Sequence, residues 1–185
     1  DGIVSGTEVY DLITREDTTQ TIPYPFECLN KKTLGMRRGE LITITSGTGQ
    51  GKSQLCRQIA HHLLKQGESV GYIALEESVK RSALGIMGID LKKPLHLSKD
   101  NVSKEDFKKS FDSTVGSGLF YMFDHFGSTQ SENLLSKIQY LAKGLNVNWI
   151  ILDHLSIVIS GLESFDERKL IDVTMTKLRS LVEST

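Results

Sequence analysis

The most informative motif in the sequence is Ser46-Gly47-Thr48-Gly49-Gln50-Gly51-Lys52-Ser53. It follows the phosphate-binding loop pattern G-x-x-x-x-G-K-S/T, with Ser46 at the position of the first glycine. The β-branched run Leu41–Thr45 predicts a strand before the loop. The helical spacing of apolar residues in Ser53–Gln66 predicts a helix after it. Strand, loop and helix are the context that this pattern requires.

Each part of the loop has a chemical reason. Glycines let backbone N–H groups curl around phosphate oxygens, and the N-terminus of the following helix adds its dipole. Lys52 is expected to reach the β- and γ-phosphates, and the Ser53 hydroxyl is expected to ligate Mg²⁺. The eight residues from Ser46 to Ser53 are therefore predicted to bind a nucleoside triphosphate.

The pattern of alternating strands and helices continues beyond the loop. Short apolar runs predict further strands, and each is separated from the next by a segment of helical period. Such alternation indicates an α/β fold, with a mostly parallel sheet and helices on both faces. Ligands bind beyond the carboxyl ends of the strands in such sheets. The predicted strands are Val70–Leu75, Leu119–Phe123 and Trp149–Leu152.

Acidic residues follow these strands. Asp153 is the favoured magnesium-binding acid because Ile-Ile-Leu before it reads as a buried strand, and Asp124 is a rival with nearly the same context. Glu76 at the end of the second strand is the candidate catalytic base, since a carboxylate there faces the γ-phosphate across the top of the sheet. An ordinary solvated carboxylate is the alternative for Glu76. His154 is interpreted as a packing or hydrogen-bonding residue.

Composition and net charge exclude several classes of protein. The chain has 185 residues, with 22 Lys+Arg, 23 Asp+Glu and a net charge of -1. This balance gives no support for a protein that coats nucleic acid broadly, although a local basic groove remains compatible with it. Two cysteines are too few for a disulfide scaffold, and no apolar run approaches the ~18 residues of a membrane span. A soluble, cytoplasmic protein with no membrane partner is expected.

The first thirty residues differ from the rest. Val9, Leu12 and Ile13 form a short helical stripe, and Pro23 and Pro25 impose extended or turn backbone. We interpret residues 1–30 as a linker segment that carries a small amphipathic helix, and residues 31–185 as the core. The helix packs either on its own domain or on a neighbouring subunit.

These motifs together resemble the hexameric replicative DNA helicases of the DnaB/Twinkle type. The similarity is strongest to the helicase part of the primase–helicases of short-tailed bacteriophages. It runs along the whole chain, and the order and spacing of the motifs are specific. The stretches that carry it are Ser46–Ser53, Leu75–Ser78, Ile150–Val158 and Asp166–Asp172, supported by Asn30–Gly35 and Asp1–Ser5.

The resemblance implies a RecA-like P-loop NTPase core that hydrolyses ATP or another NTP, dTTP included, with Mg²⁺. Lys52, Glu76 and Asp153 would be catalytic, with Asp153 and Ser53 at the metal. It also implies 5′–3′ translocation on single-stranded DNA by a homo-hexameric ring, with nucleotide at the subunit interfaces and a linker helix docked on the neighbour. Arg168 and Lys169 are the DNA-contact candidates, and solvated charges are the equal alternative for both.

The resemblance also implies parts that the chain lacks. Family members continue with another core strand, a polar sensor residue, further channel loops and an arginine finger. We therefore expect a core whose C-terminal part is missing, with weak NTP hydrolysis and no unwinding by this polypeptide alone. A RecA/RadA-like recombinase or another RecA-type ATPase is the alternative function, because it shares the phosphate loop and the glutamate after the second strand. A non-enzymatic assembly fragment is a third.

Overall fold

A computed structural model describes residues 5–7, 9–14, 20–99, 101–124, 131–155 and 167–184, without the side chains of 11, 12, 131–133, 167, 168 and 170. Helices and strands alternate along most of this length. In chain order, the elements are α1 Tyr10–Thr14, β1 Thr21–Ile22, α2 Glu27–Thr33, β2 Met36–Arg37, α3 Lys52–Lys65, β3 Val70–Ala74, α4 Val79–Leu91, α5 Lys104–Ser113, β4 Phe120–Met122, α6 Ser131–Gln139, a π-helical turn Tyr140–Gly144, β5 Trp149–Asp153 and α7 Glu167–Ser184.

The main sheet has the strand order β4-β3-β5, and both pairings are parallel. Val70 lies opposite both Phe120 and Trp149, and Ala74 lies opposite Asp153. The carboxyl ends of β3 and β5 therefore meet at one edge of the sheet. The predicted parallel α/β architecture is confirmed.

The central strand β3 separates two hydrophobic clusters. Successive side chains of a strand point to opposite faces, so Tyr72 joins one cluster and Ile73 joins the other. Residues of α3 and α4, such as Leu63 and Ile86, complete the first cluster. Residues of α6 and α7, such as Ile138 and Leu178, complete the second. Helices thus cover both faces of the sheet, as predicted.

The predicted strand before the phosphate loop is wrong. Residues 41–47 have no regular secondary structure. Leu41 packs against the second cluster, but Ile42 and Ile44 are 42% and 40% exposed. No backbone hydrogen bond joins these residues to β5 among the described residues. The β-branched composition favours a strand, but a strand forms only where a neighbour completes the ladder, and this segment has none here.

Part of the predicted linker packs on the core. Ile22 and Tyr24 are buried in the first cluster, and the Asn30 side chain bonds both the backbone N–H and the C=O of Tyr24 at 2.7 and 3.0 Å. His62 Nε2 lies 2.8 Å from the Pro23 carbonyl oxygen. The boundary at residue 30 and the subunit-docking helix stay predictions. The described helices include none that is both long and apolar enough to span a bilayer.

Candidate nucleotide-binding site

The phosphate loop leads directly into α3. Gly49 and Gly51 have φ of 75° and 89°, a region that glycine adopts without steric cost. Gly51 is the N-cap of α3, so the helix begins at Lys52 and its free N–H groups lie beside the loop. The local sequence thus builds an anion-binding helix N-terminus, as the motif predicts.

The side chain of Lys52 bends back over its own loop. Its ammonium group donates hydrogen bonds to the carbonyl oxygens of Ser46 and Gly47, at 3.0 and 3.1 Å. Both contacts are with backbone oxygens of the predicted phosphate site. The ammonium group is therefore already held at the loop that it is predicted to serve.

A cavity of about 500 Å³ lies at the carboxyl edge of the sheet. It brings together three of the predicted site residues: Ser53 from the start of α3, Glu76 from the end of β3 and Asp153 from the end of β5. Asp124, the rival acid, is exposed and does not line this cavity. The roles of these residues stay predictions. The full lining is Ser53, Ala74, Glu76, Glu77, Ser78, Arg81 and Asp153.

Asp153 is buried at the carboxyl end of β5. Its backbone oxygen accepts a hydrogen bond of 2.8 Å from the Leu75 N–H, which ties the ends of β3 and β5 together. Burial and, to a smaller extent, the Asp153 charge together raise the pKa of the nearby Cys56 thiol to about 11, against the opposing effect of Arg57. A buried carboxylate of this kind favours a cation in the cavity.

Glu76 is the most exposed acid of the lining, with 62% of its side chain accessible. Its Oε2 atom lies 3.6 Å from His154 Nδ1. The sequence interpretation of His154 as a packing or hydrogen-bonding residue did not connect it to Glu76. In the structure the imidazole lies next to the Glu76 carboxylate. An exposed carboxylate beside a phosphate loop is in a position to contact a water molecule.

Sequence reasoning missed a buried ion pair next to Glu76. The Arg57 guanidinium in α3 pairs with Glu77 Oε2, and Ser82 Oγ donates to Glu77 Oε1 at 2.8 Å. Arg81 Nε lies 3.7 Å from Glu77 Oε2. The available signal was weak: a charged residue between the apolar positions of α3 and a second glutamate after β3. Neither reveals that the two meet across 20 residues.

The DNA-contact candidates are only partly described. Lys169 lies near the start of α7 and is exposed. The side chain of Arg168 and the preceding residues 156–166 lie outside the described residues. Their roles stay predictions.

The donor set in the cavity fits Mg²⁺. A serine hydroxyl and a carboxylate are hard oxygen ligands, and Mg²⁺ in nucleotide sites takes one or two such protein ligands together with phosphate oxygens and waters. Ser53 and Asp153 would supply them. Within the described part of the chain, no group of three or more His, Cys, Asp or Glu side chains is arranged to hold a metal ion.

A phosphate loop that opens a helix at the carboxyl edge of a parallel sheet, with two acids beside it, defines a RecA-like P-loop nucleotide-binding protein. Comparison with known families agrees with this class. The model of the DnaB-like helicase C-terminal domain matches residues 21–183. The chain belongs to this family.

Two curated proteins are similar to this chain in sequence. The chain is 40% identical to a DNA helicase/primase of Enterobacteria phage T3 over an alignment that covers all of this chain and 34% of that protein. It is 26% identical to the DNA repair protein RadA of Campylobacter jejuni subsp. jejuni serotype O:2, over 66% of this chain and 30% of that one. The chain thus spans about one third of the length of these relatives.

Solved structures share the fold. An ATPase domain of known structure matches with a TM-score of 0.70 and 18% identity, over 100% of this chain and 68% of that one. The KaiC-like protein PH0186 from Pyrococcus horikoshii OT3 matches with a TM-score of 0.60 and 18% identity, over 89% of this chain and 67% of that one. The expected RecA-like fold is confirmed.

Proposed function

We propose that this chain is the motor domain of an NTP-dependent replicative DNA helicase. The observation that carries the proposal is the cavity that collects Ser53, Glu76 and Asp153 beside the phosphate loop. Family membership and the similarity to the phage T3 protein, whose name includes helicase, support the choice of reaction. In this role, hydrolysis of a nucleoside triphosphate drives 5′–3′ movement along single-stranded DNA.

The chemistry follows from the residues of the cavity. Lys52 leaves its two loop carbonyls and contacts the β- and γ-phosphates, while the loop N–H groups hold the phosphate oxygens. Glu76 accepts a hydrogen bond from the attacking water and orients it toward the γ-phosphate. Ser53 and Asp153 would hold Mg²⁺, which would supply positive charge to stabilise the transferring phosphoryl group. ATP or another NTP such as dTTP serves as the substrate.

Movement on DNA requires more than one copy of the chain. In the proposed ring, neighbouring subunits meet at the nucleotide site, and the α1 segment docks on the next subunit. The exposed Tyr10 and Ile13 side chains give α1 an apolar surface for such docking. Arg168 and Lys169 contact the backbone of single-stranded DNA, so binding tolerates sequence and weakens with salt.

The first test measures nucleotide affinity. Lys52→Ala removes a charge-assisted contact with the phosphates, so the affinity for a fluorescent Mg-ATP analogue is expected to fall about 10- to 100-fold. Lys109→Ala, which removes an exposed lysine of α5, is the matched control and should bind normally. Unchanged affinity of Lys52→Ala would show that the loop does not bind phosphate.

The second test measures hydrolysis. Glu76→Gln keeps the shape of the side chain but removes the base, so turnover is expected to fall about 10²- to 10⁴-fold with little change in nucleotide affinity. Glu105→Gln on the exposed start of α5 is the control. Normal turnover in Glu76→Gln would refute the assignment of the base. Strand exchange without strand displacement, in a longer protein that contains this segment, would favour the recombinase alternative.

A further inference from the structure

We propose that the Arg57–Glu77 ion pair positions the catalytic glutamate, so that Arg57 is a positioning residue that acts through Glu76. This inference rests on the proposed function, since it assumes that Glu76 is the base. Arg57 belongs to the helix that begins with Lys52 and Ser53. Glu77 is the residue that follows Glu76 in the chain. The pair therefore joins the phosphate-binding helix to the backbone of the base.

The pair is buried and well connected on the acidic side. The side chains of Arg57 and Glu77 are 8% and 13% exposed. The Arg57 guanidinium forms an ion pair with Glu77 Oε2. Glu77 Oε1 accepts a hydrogen bond of 2.8 Å from Ser82 Oγ. Both carboxylate oxygens are thus engaged, one by α3 and one by α4. This fixes the Glu77 side chain more firmly than a single surface contact would.

Gly85 of α4 leaves space for the Arg57 side chain. A methyl group at Gly85 would lie 2.7 Å from Arg57 Nε and 2.8 Å from its Cδ atom. The Nε atom itself is buried and has no hydrogen-bond partner among the residues that the structure describes. Burying two charges and an unmatched donor is a poor source of stability, because apolar residues of similar volume stabilise as well or better. A directional ion pair can, however, fix where the Glu77 backbone lies more closely than an apolar contact can.

The backbone of Glu76 is held on both sides. The preceding residue, Leu75, donates its N–H to the Asp153 oxygen at 2.8 Å, and the following residue, Glu77, is held by Arg57. Between these two anchors the Glu76 side chain remains exposed and contacts His154. The Glu76 backbone is thus fixed while its carboxylate is accessible. A residue that orients a water molecule needs both properties. A misplacement of ~1 Å costs such a reaction about 10²-fold.

The experiment separates position from stability. Arg57→Met removes the buried partner of Glu77 and leaves only Arg81, whose Nε lies 3.7 Å away, while Glu77→Met leaves the buried Arg57 charge without its carboxylate, so both single variants should lower the melting temperature. The double variant removes both buried charges, so its melting temperature should return to near that of the wild type. Single-turnover Mg-ATP hydrolysis by the 185-residue chain should nevertheless stay about 10- to 100-fold slower in the double variant, with nucleotide affinity within about threefold. A double variant with normal melting temperature and normal turnover would overturn the proposal.

A second comparison tests whether Arg57 acts through Glu76. Adding Arg57→Met to Glu76→Gln should slow hydrolysis no further, because the group being positioned is already lost. A further loss in that background would overturn the proposal and leave the base assignment intact. If Glu76→Gln alone retains full turnover, the proposed function fails instead. The two failures are therefore distinguishable.

A third measurement does not depend on turnover or on the double variant's stability. Hydrogen exchange of the peptide 75–82 should be about tenfold faster in Glu77→Gln, which keeps the side-chain shape, at unchanged exchange in β5. Arg179→Met/Glu183→Met removes an exposed ion pair of α7 with an N–O distance of 2.7 Å and should change neither exchange nor hydrolysis. Exchange of 75–82 equal to that of the wild type would overturn the proposal.

Discussion

Replacement of Glu68 should destabilise the end of the sheet opposite the cavity. Glu68 Oε2 accepts hydrogen bonds from Trp149 Nε1 at 2.8 Å, Asn148 Nδ2 at 3.0 Å and Arg38 Nη2 at 3.0 Å. Val70 begins β3 and Trp149 begins β5, so these contacts join the amino ends of two paired strands. Glu68→Ala removes the acceptor of all three donors.

The magnitude follows from the burial of the partners. A hydrogen bond to a charged group contributes about 1.5–3 kcal/mol, and the partly buried Trp149 and Asn148 contacts are of this kind. The Arg38 side chain is half exposed, so its ion pair adds only about 0–1 kcal/mol. Allowing for rearrangement, we expect Glu68→Ala to lower the free energy of unfolding by about 2–4 kcal/mol. Glu68→Gln, which keeps one oxygen, should cost about half of that.

The contribution of Glu68 should also depend on pH. Burial opposes ionisation, but the hydrogen bonds from Trp149, Arg38 and Asn148 hold the pKa of Glu68 in the folded chain below its ordinary value of 4.5. The stabilisation is therefore fully present above the unfolded pKa and is lost as pH falls through the folded pKa. The difference between wild type and Glu68→Gln should be constant from about pH 8 to 5.5 and shrink below about 4.5.

Urea unfolding followed by tryptophan fluorescence measures this directly. Trp149 is the chain's single tryptophan and one of the three donors, so the signal comes from the contact itself. Glu105→Gln, at an exposed position of α5, is the control for a lost glutamate charge. Equal stability of wild type and Glu68→Ala at pH 7, or a difference that grows on acidification, would refute the reasoning.

Two further predictions concern the neighbourhood of the cavity. Because burial and the Asp153 charge raise the pKa of Cys56 to about 11, this thiol should react slowly with a disulfide reagent at pH 8, while the exposed Cys28 reacts quickly. Cys28→Ser should then abolish the fast phase, and persistence of that phase would contradict the prediction. Gly85→Ala should lower stability by about 1–3 kcal/mol in thermal denaturation, since the new methyl group displaces Arg57. Arg57→Met should relieve most of that loss, and an additive double variant would count against the steric explanation.

The sequence predicted features that are encoded locally. The phosphate loop spans eight consecutive residues, and the apolar runs of β3 and β5 do form strands, β3 buried throughout and β5 partly buried up to Asp153. The sequence also predicted that Glu76 and Asp153 each follow a strand, at the edge where ligands bind in parallel sheets. The cavity brings them together, although their chemical roles stay predictions.

Long-range contacts were not predictable in the same way. Arg57 and Glu77 are 20 positions apart, and Trp149 and Glu68 are 81 apart, so no local pattern links them. The strand predicted at 41–45 does not form for the same reason. Its composition favours extended backbone, but ladder pairing depends on which neighbour lies alongside, and that is a property of the tertiary structure.

The order of the sheet affects how the chain behaves in concentrated solution. Among the described residues β5 pairs on one side only, so its other side presents backbone N–H and C=O groups without strand partners. The exposed Ile42 and Ile44 add apolar surface in a segment that does not pair with this edge. An open edge of this kind recruits further strands, from the same or another molecule. We therefore expect the isolated chain to self-associate as its concentration rises, and a charged residue at Ile44 to improve its solubility.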